Sequence, residues 1–160
     1  MRARHAAAAW MAWCGPVAGA GAFALAPRAL AAQSITTSGS PATLRVSAVT
    51  GPGGTLVPAT DATTTYTVTP ALLSQRKITA GLSSAMPSNT TLEIELAAPT
   101  NATSAGWVTL TTTARDVITA IPAGTNSSTR AIQYRFTATV AAGVLAAQSR
   151  TVTLTIVAGP

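Results

Sequence analysis

The chain predicts an all-β fold, an antiparallel two-sheet sandwich of about seven or eight strands with immunoglobulin-like or related Greek-key topology, preceded by a helical signal peptide. Three observations carry this expectation. Apolar residues recur at every second position, the spacing of strands with one face in a core and one in water. Turn-forming clusters separate these runs. Thr, Val and Ile are abundant, and no amphipathic helical period appears.

Taken in order, Leu44, Val46 and Ala48 alternate with Arg45 and Ser47, and Tyr66 and Val68 alternate with Thr65, Thr67 and Thr69. Ile78, Ala80 and Leu82 follow, then Leu92-Glu93-Ile94-Glu95-Leu96, which sets both carboxylates on an outer face. Val108 and Leu110 point inward if Trp107, Thr109 and Thr111 point out, and Val117 to Ile121 makes a shorter strand. The longest signals come last: Ile132, Tyr134, Phe136, Ala138 and Val140, then Val152, Leu154 and Ile156 between threonines. Gly51-Pro52-Gly53-Gly54, Met86-Pro87-Ser88-Asn89, Pro99-Thr100-Asn101 and Pro122-Ala123-Gly124 are suited to the turns between them.

The N-terminal stretch reads as a secretion signal. Arg2 and Arg4 precede an Ala-rich apolar run from Ala6 to Ala26, Pro27 and Arg28 end it, and Ala29-Leu30-Ala31 supplies a small-residue cleavage site. Ala29 and Ala31 occupy the two positions the peptidase inspects, so the mature chain begins at Ala32. Retention as an uncleaved anchor is the alternative, since the run approaches a bilayer-spanning length, but its glycines and Pro16 favour removal. The expected organisation is a signal peptide over 1–31, a flexible tail over 32–42 and a β-sandwich domain over 43–160. The expected destination is the periplasm, cell surface or extracellular space, with the Ala- and Arg-biased leader pointing to a bacterial source. No second apolar span follows, so no membrane span remains after leader removal. A transmembrane β-barrel lacks the Trp and Tyr girdles it needs, since the mature chain offers only Trp107, Tyr66, Tyr134 and Phe136 as aromatics.

The only histidine and only cysteine, His5 and Cys14, lie in the leader. Their removal leaves no imidazole, no thiol and no disulfide, which takes away the usual general base, the catalytic thiol and the best transition-metal ligands. No enzyme, no cofactor and no metal site is expected. Glu93 and Glu95 lie roughly 7 Å apart on one strand face, a spacing that suits a glycosidase pair or half a calcium site but equally a solubilising outer face. Asp61 and Asp116 are isolated acids at loops or strand ends, without a calcium-loop pattern. The whole chain carries +6. After leader removal Arg45, Arg76, Lys77, Arg115, Arg130, Arg135 and Arg150 face Asp61, Glu93, Glu95 and Asp116, leaving +3, scattered singly, which argues against a nucleic-acid partner.

Trp107 is the residue with the clearest binding potential. On the outward parity of its strand it is either an exposed aromatic platform for a glycan or partner chain, or a cover for a neighbouring strand. The closing strand Arg150-Thr151-Val152-Thr153-Leu154-Thr155-Ile156-Val157 is the second candidate contact, through Val152, Leu154 and Ile156, which serve equally as ordinary core. With the leader and the compact Thr/Ala/Val-rich β domain, this strand resembles small secreted bacterial proteins of the fimbrial-subunit and spore-coat-U-like type. That resemblance implies an immunoglobulin-like fold, assembly with itself or another envelope protein by strand addition, and a surface structural role. A monomeric module that recognises a glycan or surface protein is the alternative.

Overall fold

The computed structural model describes residues 34–48, 56–69 and 74–159. Nine strands lie among them: β1 (Ile35–Ser38), β2 (Ala59–Val68), β3 (Arg76–Leu82), β4 (Thr90–Leu96), β5 (Thr103–Ser104), β6 (Val108–Thr109), β7 (Arg115–Ile121), β8 (Ser127–Ala138) and β9 (Val152–Ala158). All ladders are antiparallel. They form a five-stranded sheet in the order β1-β2-β8-β4-β6 and a four-stranded sheet in the order β5-β7-β3-β9. The chain is therefore all-β. Among the described residues no helix is long and apolar enough to cross a membrane.

The alternation of apolar residues becomes one core through the register of the ladders. In the first sheet Ile94 lies opposite Tyr134 and Leu96 opposite Ile132. In the second, Ile78, Ala80 and Leu82 of β3 face Ile156, Leu154 and Val152 of β9. These side chains join Tyr66, Val68, Val117, Ile118 and Ile121 in one hydrophobic cluster drawn from both sheets. Burial of each large aliphatic side chain contributes roughly 1.5–3 kcal/mol, so the core needs no disulfide to hold it.

Several sequence expectations change. The 32–42 segment, expected as a flexible tail, contains β1, which pairs along β2 from Ile35↔Val68 to Ser38↔Thr65. Hydrogen bonds at its start continue the pairing: the Thr69 N–H donates to the Ser34 carbonyl at 3.0 Å, and the Ser34 N–H to the Thr69 side-chain Oγ1 at 3.0 Å. Leu44 and Val46 are half-buried and Arg45 and Ser47 exposed, as the alternation requires, yet no strand forms there. The single backbone link of that stretch runs from the Val57 N–H to the Ala48 carbonyl at 2.9 Å. Period two reports which face is covered; it does not report whether a partner strand lies alongside. Val140, expected to end β8, instead opens a 3-10 turn (Val140–Ala142) and is 77% exposed. The signal peptide, including Ala29, Ala31 and Ala32, lies outside the described residues.

Candidate functional site

The two sheets end differently on their two sides. On one side the edges are the two-residue strands β5 and β6, joined directly by the Ala105-Gly106-Trp107 connection. On the other side the edges are β1 and β9, which approach each other at one point only. The Ser83 N–H donates to the Thr151 carbonyl at 3.0 Å, and the Gly159 N–H to the Gln75 carbonyl at 2.9 Å. With the β3/β9 register, these bonds make the odd-numbered residues of β9 the ones that bond to β3. The N–H and C=O groups of Val152, Leu154 and Ile156 therefore point away from the sheet, since antiparallel pairs alternate. Their side chains pack against the core while remaining half-buried. Among the described residues no other strand pairs with this edge. Val152, Leu154 and Ile156, expected as contact or core residues, thus turn their side chains to the core and their backbone groups outward.

A groove of about 510 Å³ opens between β1 and the start of β9, lined among others by Ile35, Thr37, Pro41, Thr64, Tyr134 and Leu154. Its walls are mixed in character. Tyr134 is only 6% exposed, and burial, helped by the charge of Asp61, raises its hydroxyl pKa above the ordinary phenol value. Asp61 itself is buried in β2, not placed in a loop as an isolated acid. The β2/β8 register shifts between Asp61 and Thr64, and the Asp61 carboxylate accepts from the Thr63 N–H at 3.2 Å and the Thr63 hydroxyl at 3.0 Å. That bulge changes the parity of β2, so Asp61 faces inward as Thr64, Tyr66 and Val68 do; Thr64 is 3% exposed, with a buried Oγ1 that has no hydrogen-bond partner. Gly39 closes the groove beside it. At φ +87° and with Thr63 O 2.9 Å from where a Cβ would stand, no other residue fits.

The second candidate, Trp107, sits on the outer face of the five-stranded sheet in the connection just before β6, after Gly106 at φ +70°. Its ring is already engaged. The Arg135 guanidinium lies 4.4 Å from the ring centroid, within cation–π range. Arg135 is opposite Glu93 in the β4/β8 ladder and donates from Nε to Glu93 Oε2 at 2.7 Å. The bond from Glu93 raises the Arg135 pKa, with desolvation opposing. Glu93 thus forms an ion pair with a neighbouring strand and does not act as a free member of a carboxylate pair with Glu95. Asp116 likewise pairs with Lys77 at 3.0 Å across the β7/β3 ladder. Among the described residues no group of three or more His, Cys, Asp or Glu side chains is placed to hold a metal ion.

The groove was not visible in the sequence. Its walls come from segments far apart in the chain, and no residue pattern announces the bulge that turns Asp61 inward beside Thr64. The Trp107–Arg135–Glu93 stack brings together three residues whose outward parity was readable but whose adjacency required the register. Comparison with known proteins returns no matching family model, no matching curated protein and no matching solved structure.

Proposed function

We propose that the chain is a secreted, non-enzymatic β-sandwich of immunoglobulin-like topology, a structural or assembly component of the cell surface or extracellular space, and that β9 accepts an added strand from a second copy or another envelope protein. The observation that carries this reading is the β9 edge. Its seven residues carry no charge, and Val152, Leu154 and Ile156 present outward N–H and C=O groups beside a groove whose floor is partly apolar. Strand addition requires main-chain bonding groups and pockets for alternate side chains, and both are there. The strand order favours the topology: β1, β2, β8 and β4 lie in one sheet and β9 beside β3 in the other, as in a Greek key.

The direction is acceptance, not donation. β9 bonds to β3 from Leu82↔Val152 to Arg76↔Ala158, so lending it to a neighbour strips Val152, Leu154 and Ile156 from the core. Deleting 151–160 is therefore expected to destroy the fold. The test is sedimentation and intact-mass analysis of the protein exported by its own leader, beside a Val152→Pro variant. Proline at the first residue of an edge strand removes one outward N–H and spares the ladder to β3. The expected result is a chain beginning at Ala32 that associates with concentration, and a folded Val152→Pro variant that does not. A strictly monomeric parent at all concentrations refutes assembly and returns attention to a glycan or surface-protein ligand at Trp107.

A further inference from the structure

The connection from β8 to β9 is the most exposed apolar segment described. Between Arg135 and Arg150 the chain carries no ionisable side chain. Val140 is 77%, Val144 103% and Leu145 40% exposed. The base of the connection is tied down: the Thr139 N–H donates to the Asn89 carbonyl at 3.0 Å, Asn89 Nδ2 to the Ala141 carbonyl at 3.3 Å, and Arg150 Nε to the Ala85 carbonyl at 3.1 Å. Gly143 to Ala147 makes no hydrogen bond to another element among the described residues. A firm base with an untied apolar tip is unfavourable in water unless something covers it.

The same molecule carries the complementary feature. The groove beside β9 has apolar walls from Ile35, Pro41, Val152 and Leu154 and a bonding edge on one side. The outward N–H and C=O groups of Val152, Leu154 and Ile156 call for polar partners, which an entering peptide backbone provides and a hydrocarbon chain does not. Folded back on itself, the 139–151 connection reaches roughly 20 Å, enough for one limb to lie along most of a β9 edge. The Gly143–Ala147 tip shares no residue with the groove lining, so the contact is heterologous and repeats without closing.

Building on the strand-acceptance reading above, we propose that the occupant of the β1/β9 groove is the Gly143–Ala147 tip of a second copy of this chain, giving head-to-tail polymers. The test separates loop from groove. A Val144→Asp, Leu145→Asp double variant loses the loop and keeps the groove, while Val152→Pro, with Thr37→Arg as a second groove variant, does the reverse. Val57→Asp, at another exposed apolar position, controls for added charge. By sedimentation velocity over a concentration series, the parent and Val57→Asp chains are expected to form a ladder of species. The loop and groove variants are each expected to associate at least tenfold more weakly, with unfolding midpoints showing that they fold. Mixed, loop and groove variants are expected to give one-to-one dimers that grow no further. A loop variant that polymerises like the parent while Val152→Pro does not overturns this inference and leaves strand acceptance standing. A mixture of two monomeric variants that stays monomeric also overturns it, and a monomeric parent overturns both.

Discussion

If Trp107 is held by Arg135, the two side chains must couple energetically, and the size of that coupling follows from their geometry. Arg135 stacks at 4.4 Å from the ring centroid with its side chain one-third exposed, while Glu93, 18% exposed, fixes the guanidinium from the other side. A cation–π contact of intermediate exposure contributes about 1 kcal/mol. Half-burial of an indole removes on the order of 100 Å² from water, roughly 2 kcal/mol after allowance for a compact denatured state. Trp107→Ala is therefore expected to cost about 3 kcal/mol in the parent and about 2 kcal/mol in an Arg135→Met background. Methionine keeps the aliphatic stem and removes the charge, and the loss of the Glu93 partner cancels between the two arms of the cycle. Urea unfolding with unchanged m-values measures it. A coupling energy within about 0.3 kcal/mol of zero refutes the stacking argument, frees the ring as a platform, and strengthens the case for a ligand at that face.

Two further outcomes follow from the core and the groove. Tyr66 is 1% exposed and donates to the Ala97 carbonyl at 2.7 Å, and burial, opposed by nearby Arg130, pushes its pKa up from 10.0 to about 12. The folded state holds the phenol proton more tightly than the unfolded chain, so this contribution is complete below pH 10 and is lost as pH rises toward 12. Solvent at the exposed Ala97 end of the ring reduces the loss to about 1–2 kcal/mol. Tyr66→Phe should flatten that part of the alkaline stability profile at a cost of about 1 kcal/mol at neutral pH, and an unchanged alkaline slope contradicts the assignment. Gly39→Ala meets both a left-handed backbone and the Thr63 carbonyl, so a loss of about 2 kcal/mol is expected in thermal unfolding; a loss below about 0.5 kcal/mol shows that β1 leaves β2 by another path.

What was legible in the sequence was the covering of faces. The runs Leu92 to Leu96, Ile132 to Tyr134 and Val152 to Ile156 show their inward residues because period two is a local property. What was not legible was pairing, which joins segments far apart in the chain. β1 escaped because three of its four residues are Thr or Ser and it is held by backbone bonds to β2, with Ile35 its only apolar contribution. Leu44 to Ala48 misled for the complementary reason, having the alternation without the neighbour. Asp61, expected as an isolated acid at a loop or strand end, lies near the start of β2 and is buried because the bulge there changes parity, where the ladder skips between Asp61 and Thr64. Trp107 read correctly as outward, but its Arg135 cover follows only from the register that sets Glu93 opposite both Arg135 and Thr109.

The edges bear on function most directly when compared with one another. Natural sheets blunt exposed edges by shortness, by charge, by proline or by cover, because an open ladder templates pairing with other chains. β5 and β6 are two residues long and joined across the sheets, and β1 is four residues long and ends at Gly39. β9 has none of these protections: Val152-Thr153-Leu154-Thr155-Ile156-Val157-Ala158 is seven residues of high β propensity with no charge and no proline. The charges around β9 lie beside the edge and not in it: Arg76 is opposite Ala158 in β3, Arg150 is two residues before Val152, and Lys77 pairs with Asp116 across β3 and β7. A fold that shortens three edges and leaves its fourth long, neutral and beside a groove has concentrated the pairing hazard in one place. The economical physical reason for that concentration is that the edge is meant to be covered, which makes the chemistry of its cover the central question about this protein.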